Sequence, residues 1–92
     1  MLELEGKYYF TDIEHILDKL NVEITGVSGD NFMMCCPFHK ERKPSFGIHR
    51  ETGQFNCFSC NTKGDILSFI GRILNINRRE SIKYITQLST NE

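Results

Sequence analysis

Apolar residues recur along this chain with two different periods, and the change between them divides it into three stretches. Ile13, Ile16, Leu17 and Leu20 fall at i, i+3, i+4 and i+7, the spacing of one buried helix face. Thr11-Asp12-Ile13-Glu14 reads as a capping box, with a Thr hydroxyl taking an orphan N–H and Glu14 reaching back. Asn21 then ends the helix. From about residue 22 to residue 58 the texture changes. Short runs at 22–25, 32–35, 45–49 and 54–58 alternate with turn clusters at 26–31, 43–44 and 51–53, which predicts an antiparallel meander. Gly53 is placed to supply the positive φ of a tight hairpin loop. After Cys60 the helical period returns. Asp65 caps a helix bearing Ile66, Leu67, Ile70, Ile73 and Leu74, and Asn75 or Asn77 breaks it. Asn77 with Glu80 opens a last helix that turns Ile82, Ile85 and Leu88 inward. The order is α, then strands, then αα, an α+β fold expected to occupy residues 1–92 as one domain.

A chain of 92 residues buries only about 60–65 % of its unfolded surface, and chains this small often add a disulfide, a metal or a partner. The opening MLELEGKYYF is acidic and has no apolar run, unlike a secretory signal, and no stretch approaches membrane-spanning length. The expected compartment is the reducing cytoplasm, where clustered cysteines bind metal more often than they pair. Charge is unevenly laid out. Residues 1–30 carry seven acids against Lys7 and Lys19, a balance of −5. Residues 36–63 carry Lys40, Arg42, Lys43, Arg50 and Lys63 against Glu41 and Glu51, a balance of +3. A local basic patch of this kind, more than the overall pI, is what contacts phosphates.

The chemistry concentrates in Cys36-Pro37-Phe38-His39 and, after seventeen residues, Cys57-Phe58-Ser59-Cys60. Each half is a pair of ligands two residues apart, so a tight turn aims both at one ion. Two such knuckles give a tetrahedral Cys₃His set, typical of structural Zn²⁺. With all four positions filled by protein, no place remains for a metal-bound water. Neighbouring side chains on a strand face opposite ways, so Cys35 and Cys36 do not both serve one ion. Cys36 has the regular spacing to His39, and Cys35 reads as a small buried hydrophobe. A redox pair at Cys57 and Cys60 would belong at a strand-to-helix turn of a βαβ unit, which the pattern lacks. His15 falls on the polar side of its helix. His49 ends a strand, where surface filler is commoner than a phosphate contact. Basic residues and rings interleave around the knuckles, and Lys40, Arg42, Lys43, Arg50, Phe58 and Lys63 are the candidates for nucleic acid. Phe58 has the further reading of a cover over the metal, and the other phenylalanines are needed by a core without tryptophan.

The run Cys36-Pro37-Phe38-His39-Lys40-Glu41-Arg42-Lys43-Pro44-Ser45-Phe46, then Cys57-Phe58-Ser59-Cys60 and Gly64-Asp65-Ile66, resembles the zinc-binding domain of bacterial DnaG-type and phage DNA primases. The resemblance covers residues 11–89. It implies a zinc ribbon on an antiparallel sheet of about four to five strands, flanked by one N-terminal and two C-terminal helices. It implies Cys36, His39, Cys57 and Cys60 as ligands of one structural zinc, with Arg42 or Lys43 near a basic position of the motif. It also implies a role in recognising single-stranded DNA template and supporting primer initiation by a separate catalytic domain, with a polymerase or helicase as further partner. Where the pattern has Cys-Gly, this chain has Cys60-Asn61, and Asn tolerates left-handed geometry best after Gly. No carboxylate cluster for Mg²⁺ and no phosphate loop occurs here, so the chain is not expected to polymerise nucleotides alone. Either a longer primase or a stand-alone subunit of a phage or mobile element fits. The rival expectation is a zinc-stapled adaptor that contacts protein and not DNA.

Overall fold

In the computed structural model, which describes residues 2–38, 45–59 and 61–90, Asp12 caps the first helix and Thr11 does not. The Asp12 carboxylate accepts the His15 N–H at 2.8 Å, and helix α1 runs Ile13–Lys19. An ionised carboxylate is the stronger acceptor at a helix N-terminus. The Thr11 hydroxyl is left buried without a hydrogen bond. At the other end Asn21 takes a left-handed φ of 60°. The Val22 N–H reaches back to Leu17 O at 3.0 Å and Asn21 N–H to Asp18 O at 3.1 Å, a Schellman closure with Asn in the place Gly usually holds. The buried face is the expected one, Ile13, Ile16, Leu17 and Leu20.

The N-terminus forms a hairpin that the apolar pattern does not announce. Strand β1 (Leu2–Leu4) pairs with β2 (Lys7–Tyr9). The two-residue turn has φ of 51° at Glu5 and 82° at Gly6, the doubly positive geometry of a type I′ loop. Leu2 is buried, and Leu4 and Tyr9 pack against the core.

The main sheet has five antiparallel strands in sequence order, β3 (Gly26–Ser28), β4 (Asn31–Met34), β5 (Phe46–His49), β6 (Phe55–Cys57) and β7 (Lys63–Gly64). The expected strand at 22–25 lies instead at 26–28. The turn needs only Gly29, at φ 60°, and Asp30, so backbone pairing with β4 continues through residues whose exposed side chains give no strand signal. Val22 and Ile24 pack partly on the core from outside the sheet.

Helix α2 (Ile66–Leu74) is capped by Asp65, which accepts the Ser68 N–H at 2.9 Å, and it stops at left-handed Asn75. Its buried face is Ile66, Leu67, Phe69 and Ile70, while Leu74 is exposed. Helix α3 (Arg78–Thr90) opens with the expected reciprocal cap, Glu80 N–H to Asn77 Oδ1 at 2.8 Å and Asn77 N–H to Glu80 Oε1 at 3.3 Å. Ser81 and Ile85 are fully buried on it, with Ile82 and Leu88 partly covered. Arg78 ties three elements together through Asp65 at 2.8 Å and Glu5 at 3.0 Å. Burial pushes the Asp65 carboxyl up, but the bonds from Arg78 and Ser68 outweigh it and hold the group below the usual range. The pairs are exposed, so their role is chiefly to fix the hairpin against the helix.

Gly53 locks the β5–β6 turn onto helices α1 and α2. It sits at φ 77°, and a Cβ there would lie 2.6 Å from Ile66 Cβ and 2.8 Å from Ile13 Cδ1. Gly53→Ala is expected to cost about 2–4 kcal/mol, from left-handed strain plus overpacking. A denaturant midpoint that does not move would refute this.

Candidate metal centre and nucleic-acid interface

Strands β4 and β6 run the same way on either side of β5, so both carry a cysteine to one end of the sheet. In the register Met34 faces Phe46 and Phe46 faces Cys57. Cys36 lies two residues beyond the end of β4. Cys36 is 3 % exposed and Cys57 0 %. Cys35 is half-buried, in a depression with Leu20, Val22, Pro37 and Ile73, less covered than a small core hydrophobe would be.

The second knuckle is the loop between β6 and β7. Cys57 N–H donates to Thr62 O at 2.8 Å, and Asn61 N–H donates to Cys57 O at 2.9 Å. Asn61 has φ 59°, the left-handed geometry anticipated for it. Ser45 Oγ lies 3.9 Å from Cys57 Sγ and accepts from Ser59 Oγ at 2.8 Å. With Cys57 as a thiolate, Ser45 is the donor of that pair, and Ser59 fixes its hydroxyl. Two buried thiols at one sheet end, one supported by a hydroxyl, fit a thiophilic ion such as zinc. His39 and Cys60 lie outside the described residues, as do Lys40, Arg42 and Lys43.

Phe38 anchors the first knuckle in the core. Its ring meets Phe46, Phe55 and Phe69 at centroid distances of 5.8, 5.8 and 5.7 Å. Those three meet one another at 5.3 to 5.7 Å. Arg72 of α2 lays its guanidinium over the outer side of Phe38, 4.1 Å from the ring centre. Arg72 thereby brings a cation beside the first knuckle from 34 residues further on. No local signal marks it, because only the tertiary packing joins the two.

Two of the basic or aromatic candidates share one surface. Phe58, 69 % exposed, and Lys63 line a shallow groove of about 670 Å³ on the outer side of the sheet, with Asn31, His49, Gln54, Asn56, Asp65 and Ser68. Gly47 forms its floor, and a Cβ there would come 3.2 Å from Met33 Sδ. Arg50 is elsewhere. It lies beyond the far end of β5, 5.9 Å from the centre of the Phe32 ring, and lines a separate acidic depression with Glu3, Asp12 and Glu14. The groove amides escape sequence reasoning because each is an ordinary outward residue of a strand (Asn31, Asn56) or a turn (Gln54), and only register assembles them.

The sequence profile described as CHC2 zinc finger matches residues 4–92. The chain belongs to this family, the zinc finger of DnaG-type DNA primases. Zinc binding comes with that membership. The chain is 41 % identical to a DNA primase of Enterococcus faecalis over 61 residues, 66 % of this chain and 10 % of that protein. It is 35 % identical to a DNA primase of Neisseria meningitidis serogroup A over 75 residues, 82 % of this chain and 12 % of that protein. It thus spans about a tenth of the length of these relatives. Among solved structures it resembles the Aquifex aeolicus primase zinc-binding and RNA polymerase domains, with TM-score 0.67 and 28 % identity over 84 % of this chain and 18 % of that one. The expected α+β architecture is the observed one, with the N-terminal hairpin in addition. No described helix is long and apolar enough to cross a membrane.

Proposed function

We propose that this chain is the zinc-ribbon module of a DNA primase, holding one structural Zn²⁺ through Cys36, His39, Cys57 and Cys60. It binds single-stranded DNA template and supports primer initiation by a separate catalytic domain, in concert with a polymerase or helicase. The observation that carries this is the outer groove, where Lys63 and Phe58 meet Asn31, His49, Gln54, Asn56 and Ser68 beside the second knuckle, and the one carboxylate, Asp65, is held by Arg78. A cation for phosphate, a ring for stacking and amides for base edges are what an unpaired strand needs. Lys40, Arg42 and Lys43 extend the same charge along the chain from the first knuckle. The metal's part is to hold the knuckles; with four protein ligands it activates no water.

Fluorescence anisotropy with short single strands tests this. Binding is expected to be weak and salt-sensitive, and Lys63→Ala should reduce the log–log salt slope by roughly 0.7, one phosphate's worth. No binding at low salt would remove the proposal. The adaptor reading is favoured by Tyr8 and Phe10, 67 % and 76 % exposed, near the acidic side of α1. It holds if strands fail to bind while a primase polymerase domain still does.

A further inference from the structure

The geometry points to His49 as a base-reading donor in the outer groove, held in one tautomer by the β5–β6 turn; this rests on the strand-binding reading above. His49 Nδ1 accepts the N–H of Glu51 at 3.1 Å and the N–H of Thr52 at 3.3 Å. A ring nitrogen that accepts two backbone donors carries no proton, so the proton of the neutral ring sits on Nε2. The backbone thus makes a choice that a solvated histidine leaves open. Nε2 has no hydrogen-bond partner among the described residues. The half-buried ring lines the groove with Asn31, Gln54 and Asn56. Asn31 is its register partner on β4, and the backbone pairs His49 N–H with Gln54 O at 2.8 Å.

A turn-capping role accounts for one nitrogen only. Asn, Asp and Ser make such local bonds in turns with shorter side chains, and none of them reaches as far out as Nε2. A phosphate is better met by a cation, which Lys63 supplies. A neutral N–H set among amides that both donate and accept suits a carbonyl oxygen or ring nitrogen of an unstacked base. His49 is therefore a specificity residue for the strand, and the turn is what orients it.

Two substitutions separate the ring nitrogens. His49→Asn keeps an acceptor near the Nδ1 position and removes Nε2. His49→Gln places an amide donor near Nε2 and removes the turn acceptor. Anisotropy would use the wild-type and variant chains with homopolymeric deoxyoligonucleotides of each base and an abasic strand of equal length. His49→Asn should melt like the wild type, lose roughly fivefold to tenfold in affinity for a base-bearing strand, and bind the abasic strand unchanged. His49→Gln should melt lower and keep most of the affinity. Equal affinities of wild type and His49→Asn on every base overturn the assignment and leave a turn cap. An equal loss on abasic and base-bearing strands also overturns it, by moving the contact to phosphate. A nitrogen-15 spectrum placing the proton on Nδ1 would overturn it whatever the binding. A wild-type chain that binds no strand at all defeats the parent reading instead, and the base contact with it.

Discussion

Cys57→Ser is expected to abolish the cooperative thermal transition, and chelation should do the same to the wild-type chain. Cys57 lies fully buried at the end of β6, where it is both a core residue and a proposed ligand. Structural zinc contributes about 10–16 kcal/mol in finger peptides, while a whole domain is stable by only about 5–15 kcal/mol. Losing the ion therefore outweighs everything the apolar core retains. The damage should be greatest at the knuckle end, because β4 and β6 are joined there through one pair of β5 contacts and the proposed ion. Cys35→Ser is the control. It is adjacent to a proposed ligand but only half-buried, and its cost should stay within about 1 kcal/mol. Circular dichroism melts with a zinc-release dye check both. An apo chain that melts as the loaded one does would show that the fold does not depend on metal. Parity between Cys35→Ser and Cys36→Ser would remove the choice of ligand.

How far the sequence foretells this arrangement depends on how local the information is. The α1 face, the Asp65 cap and the Asn77–Glu80 pair are visible because a helix writes its contacts within four residues. The left-handed positions of Gly53 and Asn61 are visible because few residue types tolerate them. The N-terminal hairpin hid because two three-residue strands carry too little alternation, although Leu2, Leu4 and Gly6 were its signs. Strand β3 hid for the opposite reason: its side chains are all exposed, so pairing with β4 is its main structural tie. Phe69 and Leu74 stand at opposite edges of the α2 stripe, and periodicity alone does not say which edge is the buried one. At the site, the spacing of the proposed ligands is a local pattern that the sequence displays by itself. The groove is not, since Asn31, His49 and Asn56 come from three strands and Gln54 from the turn between two of them, and they meet only in register.

Phe46→Ala and Phe58→Ala should give opposite phenotypes, although both residues are phenylalanines close to the knuckles. Phe46 is fully buried on β5 and touches three other rings, Phe38, Phe55 and Phe69. Truncating a buried Phe costs about 3–5 kcal/mol, and each favourable ring pair adds about 0.5–1.5 kcal/mol beyond its area. That sum approaches the whole stability of a chain this size. The loss also reaches the metal, because Phe38 holds the first knuckle by packing on Phe46 and its neighbours. Phe46→Ala should therefore unfold the chain near room temperature and weaken zinc retention. Phe58 stands exposed between Cys57 and the groove. Its removal should leave the melt within about 0.5 kcal/mol and, if the groove binds strands, weaken that binding by about 1–3 kcal/mol of lost stacking. Denaturation curves and anisotropy on the two variants read these effects separately. A Phe58→Ala chain that melts far lower while binding strands normally would make Phe58 a cover for the metal instead of a stacking platform.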